Sequence, residues 1–176
     1  MLKMNREELI KRYAAGERDF SGVDLSGIDL KNVELSNINL TGANLTGVNL
    51  TGAILADVEA DNANFTNANL SKTSFGYGCY FRNAIFERAN LRQAHFSEPD
   101  LSGANLKGAN LEDAFLLGSG LINANLEGAN LERTNLVESN LEGAYVEGSS
   151  IYEAYIEDEF DIIDGIIQIQ KDASWW

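Results

Sequence analysis

The chain has 176 residues, 44% of them hydrophobic and 23% charged, with a formal net charge of −14. That length and balance fit one domain with a sizeable core and exclude wholesale disorder. The charge is uneven: residues 1–94 carry 10 basic against 11 acidic side chains, whereas residues 95–164 carry 2 basic (Lys107, Arg133) against 15 acidic. Phosphates need Lys and Arg to displace their counterions, so the acidic half excludes direct nucleic-acid binding. It permits a basic partner, or serves only to keep the chain soluble and monomeric. No apolar run reaches bilayer length, MLKMNREELIKR lacks a signal-peptide core, and the single Cys suits a reducing compartment. A cytoplasmic protein without membrane contact is the expectation.

In chain order, the first predicted element is a helix over 6–15. Asn5 with Glu8 reads as a capping box and Met4 with Leu9 as a hydrophobic staple. Leu9, Ile10 and Tyr13 share a face, and Gly16 can end the helix. Residues 1–17 are thus an N-terminal helical cap, needed because the ends of a repeat protein must be covered.

From Phe20 a large apolar residue recurs at every fifth position: Leu25, Leu30, Leu35 and onward to Phe75, with Ala60 the one small centre. One residue is inserted around Gly76-Tyr77-Gly78, within 76–80, and the series resumes at Phe81 and runs to Ile156. Twelve centres before the insertion and 16 after it give 28 repeats. Two residues before each centre sits a small or β-branched residue, and between them is usually Asn or Asp, as in Ala43-Asn44-Leu45. A period of five matches neither a helix nor a strand. It fits a chain that turns a corner every five residues, with two residues inward and three outward. Gly42, Gly47, Gly52, Gly103, Gly108 and Gly143 suit corners that demand unusual φ. Val23, Ile28, Val33 and Ile38 fill the small slot early on, which predicts a wider first part. Phe65 is expected to stack on Phe86 and Phe75 on Phe96. Cys79 falls in the small inward slot as a structural residue.

These repeats resemble the pentapeptide-repeat family, whose pattern is Ala-(Asp/Asn)-Leu-X-X, over residues 18–158. The opening from Tyr13 to Phe20 is similar to bacterial, especially cyanobacterial, members. The resemblance implies an all-β solenoid: a right-handed, quadrilateral β-helix whose four sides close a coil of 20 residues. The repeats then make about seven coils, a rod roughly 34 Å long at the spacing of paired strands. The remaining segment, 159–176, is a C-terminal cap or tail. Its Ile162, Ile163, Ile166, Ile167 and Ile169 before Trp175-Trp176 leave a short helix and an added strand both open. It serves as a lid over the last coil or as a homodimer contact.

Nothing in the sequence assembles an active site, a cofactor site or a metal site. His95 is the only His, so neither a His-based metal cluster nor a Ser–His pair can form. No phosphate loop is present, and Arg82, Arg88, Arg92 and Lys72 fall on different sides. One side is unusual. Where another side carries Asp29, Asn49, Asn69, Asn90, Asn110, Asn130 and Ser150, this one reads Glu34, Ile54, Ser74, His95, Phe115, Asn135 and Tyr155. With Ala56, Tyr77, Leu117 and Val137 as outward neighbours, the strip Ile54, Tyr77, His95, Phe115, Leu117, Val137 and Tyr155 is a candidate protein-binding surface. A corner or the C-terminal tail is the alternative cover for it. The expected function is a non-enzymatic interaction module with an unidentified protein partner. Fluoroquinolone-resistance pentapeptide proteins are also similar in repeat and charge, which implies an alternative: an acidic DNA mimic that binds a type II topoisomerase such as gyrase.

Overall fold

The computed structural model describes residues 3–157 and 160–169. Glu159 and Trp175-Trp176 of the expected tail lie outside the described residues. From residue 19 to 155 the chain pairs with itself in parallel. Four ladders begin at Asp19, Asp24, Asp29 and Glu34 and run to Asn140, Tyr145, Asn130 and Tyr155, and Lys3 of the N-terminal cap adds one more parallel rung at Asp24. Each step covers 20 residues, except the steps Glu59–Tyr80, Asn64–Ile85, Asn69–Asn90 and Ser74–His95, which cover 21. On the fourth ladder the pairing is regular enough to form two-residue strands: β1 (Ile54–Leu55), β2 (Ser74–Phe75) and β3 (His95–Phe96). Strands cannot be longer, because a corner follows within each five-residue unit.

Two local devices make the corner. The residue two after nearly every centre is left-handed: Gly42 has φ +65°, and Lys72 and Arg88 hold φ +58° and +55° in the equivalent place; after Phe75 the inserted residue moves it to Gly78 (φ +72°). That conformation is free for Gly and costs other residues about 1 kcal/mol. The second device is the Asn or Asp just before the centre. Its Oδ1 accepts the amide two residues on, as from Thr51 to Asn49 (3.1 Å), Glu112 to Asn110 (3.1 Å) and Glu142 to Asn140 (3.0 Å). The side chain thereby mimics a backbone turn. The outward Asn column is therefore part of the corner itself, and along the stack it is stitched by bonds such as Asn90 Nδ2 to Asn69 Oδ1 (3.2 Å).

Inside, the centres and the small slots fill the space between the ladders. Leu25 to Leu141 are buried at the centres, and Ala43 to Ala144 at the small slots. The cavity enclosed by Leu9, Leu25, Leu45, Phe65 and Phe81 in the N-terminal half of the core measures only about 10 Å³, the lower limit for a single water. Phe65 stacks on Phe86 (4.8 Å, 4°) and Phe75 on Phe96 (4.4 Å, 10°), with Phe81 edge-on between them. Val33 and Ile38 are buried, while Val23 and Ile28 are half-buried near the N-terminal end. Thr73 and Thr134 also occupy small slots. Their hydroxyls donate to Leu50 O (2.7 Å) and Leu111 O (2.8 Å), so no buried side-chain polar atom lacks a partner among the described residues.

The inserted residue lies between Phe75 and Tyr77. Asn37 N donates to Ala56 O, 19 residues on, but Asp57 N donates to Tyr77 O, 20 residues on. A Cβ on Gly76 would sit 2.8 Å from Ala56 Cβ, so only Gly fits the crowded side of this bulge. Cys79 is buried beside it, and burial pushes its thiol pKa up, away from reactivity.

At the N-terminal end, α1 spans Arg6–Ala14. Asn5 Oδ1 accepts the Glu8 amide (2.9 Å), but the reciprocal half of the expected capping box is replaced by a contact of Glu8 with Arg12. Gly16 (φ +96°) ends the helix, with Glu17 N bonded to Arg12 O and Gly16 N to Tyr13 O. Met4 and Leu9 are buried. The cap also satisfies the first edge of the stack. Met4 N donates to Asp24 O (2.8 Å), Arg6 to Asp29 O (2.9 Å), and the Tyr13 hydroxyl both donates to and accepts from the Ser36 backbone (2.9 Å each).

At the other end Ile151–Glu153 form a 3₁₀ turn in place of a regular corner. A hairpin follows: β4 (Phe160–Ile163) and β5 (Ile166–Ile169), antiparallel. This resolves the tail in favour of an added strand, since β5 docks against the second ladder at Tyr145. Ile167 N donates to Ala144 O (2.8 Å) and Gly143 N to Ile167 O (3.0 Å), and Ile167 is wholly buried over the last turn. Asp164 (φ +51°) and Gly165 (φ +78°) supply the hairpin turn.

Two expectations test this architecture. Leu106→Ala should lower stability by about 2–5 kcal/mol, against about 0.5 kcal/mol or less for the neighbouring Lys107→Ala, read from chemical unfolding midpoints. A Cβ at Gly165 would meet Tyr145 Cε2 at 2.6 Å in a left-handed backbone. Gly165→Ala should therefore loosen the hairpin, seen as faster amide exchange at Ile167, while Asp164→Asn leaves it unchanged.

Candidate interaction surface

The fourth ladder stacks Ile54, Ser74, His95, Phe115, Asn135 and Tyr155 in register. His95 and Phe115 lie ring on ring at 4.4 Å and 21°. Ile54, Phe115 and Tyr155 are 48%, 45% and 59% exposed. In the outward column beyond the centres, Leu117 is exposed and Val137 half-exposed, and the bulge lifts Tyr77 to 69% exposure. All seven strip residues thus lie on one side, with Ser74 and Asn135 as polar gaps. The described part of the tail docks on the second ladder and does not supply the cover that was one expectation for this side.

Hydrophobic side chains here come at a local cost. Asn135 still accepts the Val137 amide (3.0 Å), but Ile54, His95, Phe115 and Tyr155 have no oxygen to offer that bond. The third ladder keeps Asp or Asn at every place from Asp29 to Asn130. Each bond forgone is worth about 0.5–1.5 kcal/mol.

The charges around the strip are arranged asymmetrically. On the third-ladder side, Arg133 binds Asp113 (2.7 Å) and Glu112 (2.5 Å), and Arg92 reaches the same two carboxylates (3.2 Å each). The hydrogen bond from Arg133 holds the Asp113 carboxyl below its ordinary range, and Asp113 in turn raises the Arg133 guanidinium. Elsewhere Arg82 pairs with Asp61 (2.5 Å) and Lys107 with Glu127 (2.7 Å). Of the cations that looked dispersed, Arg82 and Arg92 are neutralised across neighbouring turns, Arg88 pairs with the adjacent Glu87, and Lys72 forms no ion pair among the described residues. On the opposite edge of the strip, Asp57, Glu98 and Glu138 form no ion pair among the described residues. This edge was missed in the sequence, because ion pairing is invisible until residues 20 or 21 apart are aligned. Among the described residues no group of three or more His, Cys, Asp or Glu could hold a metal. Among them no helix is long and apolar enough to cross a membrane.

The family profile described as pentapeptide repeats (8 copies) matches residues 19–57, 43–76, 77–113 and 120–151. The chain belongs to the pentapeptide-repeat family. Its match to that profile is interrupted at 114–119, the turn that carries Phe115 and Leu117. Among solved structures it is similar to a trypsin-treated variant of QnrB1, a plasmid-mediated fluoroquinolone resistance protein, at 19% identity over 79% of each chain with TM-score 0.51. At that identity the likeness bears on the fold alone, the right-handed quadrilateral β-helix of pentapeptide-repeat proteins. HetL, a pentapeptide-repeat protein involved in heterocyst differentiation regulation from Nostoc sp. strain PCC 7120, is 25% identical over 94% of this chain and 100% of its own, with TM-score 0.43. Rfr23 from the cyanobacterium Cyanothece 51142 is 27% identical over 84% and 97%, with TM-score 0.36. No curated protein matches the chain.

The Asp113 pair gives a pH expectation. A carboxyl depressed in the folded state contributes stability above the ordinary carboxylate range, and that contribution is lost as pH falls through the folded value. Asp113→Asn should lower the melting temperature near neutrality; the difference from the native chain should begin to shrink only below about pH 4 and vanish once the pH has fallen through the depressed folded value.

Proposed function

We propose that this protein is a non-enzymatic interaction module, a rigid right-handed β-helix of about seven coils that presents its fourth side to a protein partner in the cytoplasm. The contact residues in this reading are Ile54, Tyr77, His95, Phe115, Leu117, Val137 and Tyr155. One observation carries it. At Ile54, His95, Phe115 and Tyr155 this ladder gives up the Asn-to-amide bond that the third ladder keeps throughout, and it exposes aromatic and aliphatic side chains in its place. A sequence that departs from its own structural rule at Ile54, His95, Phe115 and Tyr155 of one ladder, more often than on any other, is following a second requirement. A densely filled interior supports a role at the surface, where no catalytic pocket is needed.

The acidic half supports the alternative of a DNA mimic for a type II topoisomerase less well. Arg82, Arg92, Lys107 and Arg133 neutralise neighbouring acids on three sides and break the negative charge there. Inhibition in a gyrase supercoiling assay would move the reading to mimicry.

The direct test is Phe115→Asp. An Asp at this place regains the oxygen that accepts the amide two residues on, so circular dichroism and melting should match the native chain. Association with the partner, measured by sedimentation and pull-down, should be abolished, because an unpaired carboxylate is costly to bury in an apolar contact. Asn110→Asp adds the same charge on the third ladder, keeps its acceptor oxygen, and should bind normally. Retention of every association by both variants would refute the reading.

A further inference from the structure

The two edges of the apolar side differ in a way that describes its occupant. Along the third-ladder edge, Asp113 is already satisfied by Arg92 and Arg133. The far edge is built at the corner position, where Asp57, Gly78, Glu98, Gly118 and Glu138 follow one another at steps of 20 or 21 residues. Asp57, Glu98 and Glu138 are left-handed, at φ +51°, +51° and +59°, a conformation that Gly adopts freely and that costs other residues, Asp least among these. The glycines that alternate with them make room. A Cβ on Gly78 would lie 2.6 Å from Asp57 Oδ1, and one on Gly118 would lie 3.0 Å from Glu98 Cγ. Each of these two acids thus folds over the glycine of the next turn, and none of the three has a cation partner among the described residues. The edge is a row of acids two strand spacings apart, roughly 10 Å, running beside Tyr77, Leu117 and Val137.

We infer that the occupant of this side is a basic amphipathic helix lying along the ladders, with Lys or Arg at every seventh position beside an apolar face. This rests on the reading of the fourth side as a docking surface. The repeat of the acids selects the helix. Two helical turns advance about 10.5 Å and return a side chain to nearly the same face. An extended peptide presents same-face side chains about every 7 Å and falls out of step with the row. Charge selects a basic partner and opposes a second copy, since two chains would each bring a net charge of −14.

The test uses the full chain and a labelled synthetic helix of three heptads, with a leucine face and one flanking lysine per heptad. A second peptide of the same composition carries its lysines opposite the leucines. By fluorescence anisotropy the native chain should bind the first about tenfold more tightly than the second. Glu98→Gln with Glu138→Gln should erase that preference. The control pair Glu127→Gln with Glu147→Gln, on the second side, removes equal charge and should keep the preference within about twofold. Phe115→Asp should abolish binding of both peptides. Equal binding of the two peptides by the native chain, both lost in Phe115→Asp, would overturn the helix assignment while leaving the docking surface standing. Loss of the preference in the Glu127–Glu147 control, or no binding of either peptide, would overturn the assignment as well. Self-association of the native chain, lost in Phe115→Asp, would replace the helix with a second copy.

Discussion

The corner taken every five residues is the constraint on which the rest of the molecule depends. It needs a left-handed residue after the centre, two places on at nearly every turn, and at most turns it is steadied by an Asn or Asp oxygen that accepts an amide within the same turn. Because these requirements are local, the chain can fold side by side without choosing distant partners. Ladder pairing then follows from geometry: units of equal length bring residue i over residue i+20, and the amides and carbonyls meet. Fixed corners also fix the interior. Large centres and small slots are what remain when two side chains of every five must point into a narrow space. Surface chemistry is thereby released to vary, provided that each outward place either keeps its oxygen or forgoes one bond.

Much of this was legible in the sequence because a period of five leaves a strong signature. The inward register at Leu106, the stacking of Phe65 on Phe86, the burial of Cys79 and the extra residue near Tyr77 all follow from counting. The physical role of the Asn column was not legible. Spacing shows that Asn recurs, but only coordinates show its oxygen bonded to the amide two residues on. The hairpin at the C-terminal end carried a readable signal in Asp164-Gly165, a pair suited to a tight turn, yet the isoleucines around it fit a short helix as well as an added strand. Nor could the N-terminal edge be read, because Tyr13 reaches the Ser36 backbone from a helix whose placement depends on packing. For the candidate surface, sequence columns located the apolar residues correctly. The acids without partners beside them emerged only after each cation had been paired with its neighbour.

The bulge at Gly76-Tyr77-Gly78 has a consequence for folding fidelity. A stack of near-identical turns has many almost equivalent ways to assemble, since a turn could be skipped and the next laid down on its predecessor with most hydrogen bonds intact. The added residue fits only where Gly76 can pass Ala56, and the rings of Phe65, Phe75, Phe81, Phe86 and Phe96 match only in one order. Skipping one turn would set Phe65 against Leu106 and Phe75 against Leu116, leaving flat rings without flat partners. The irregular middle therefore acts as a key cut into an otherwise uniform thread, and it gives a repetitive chain a single way to wind.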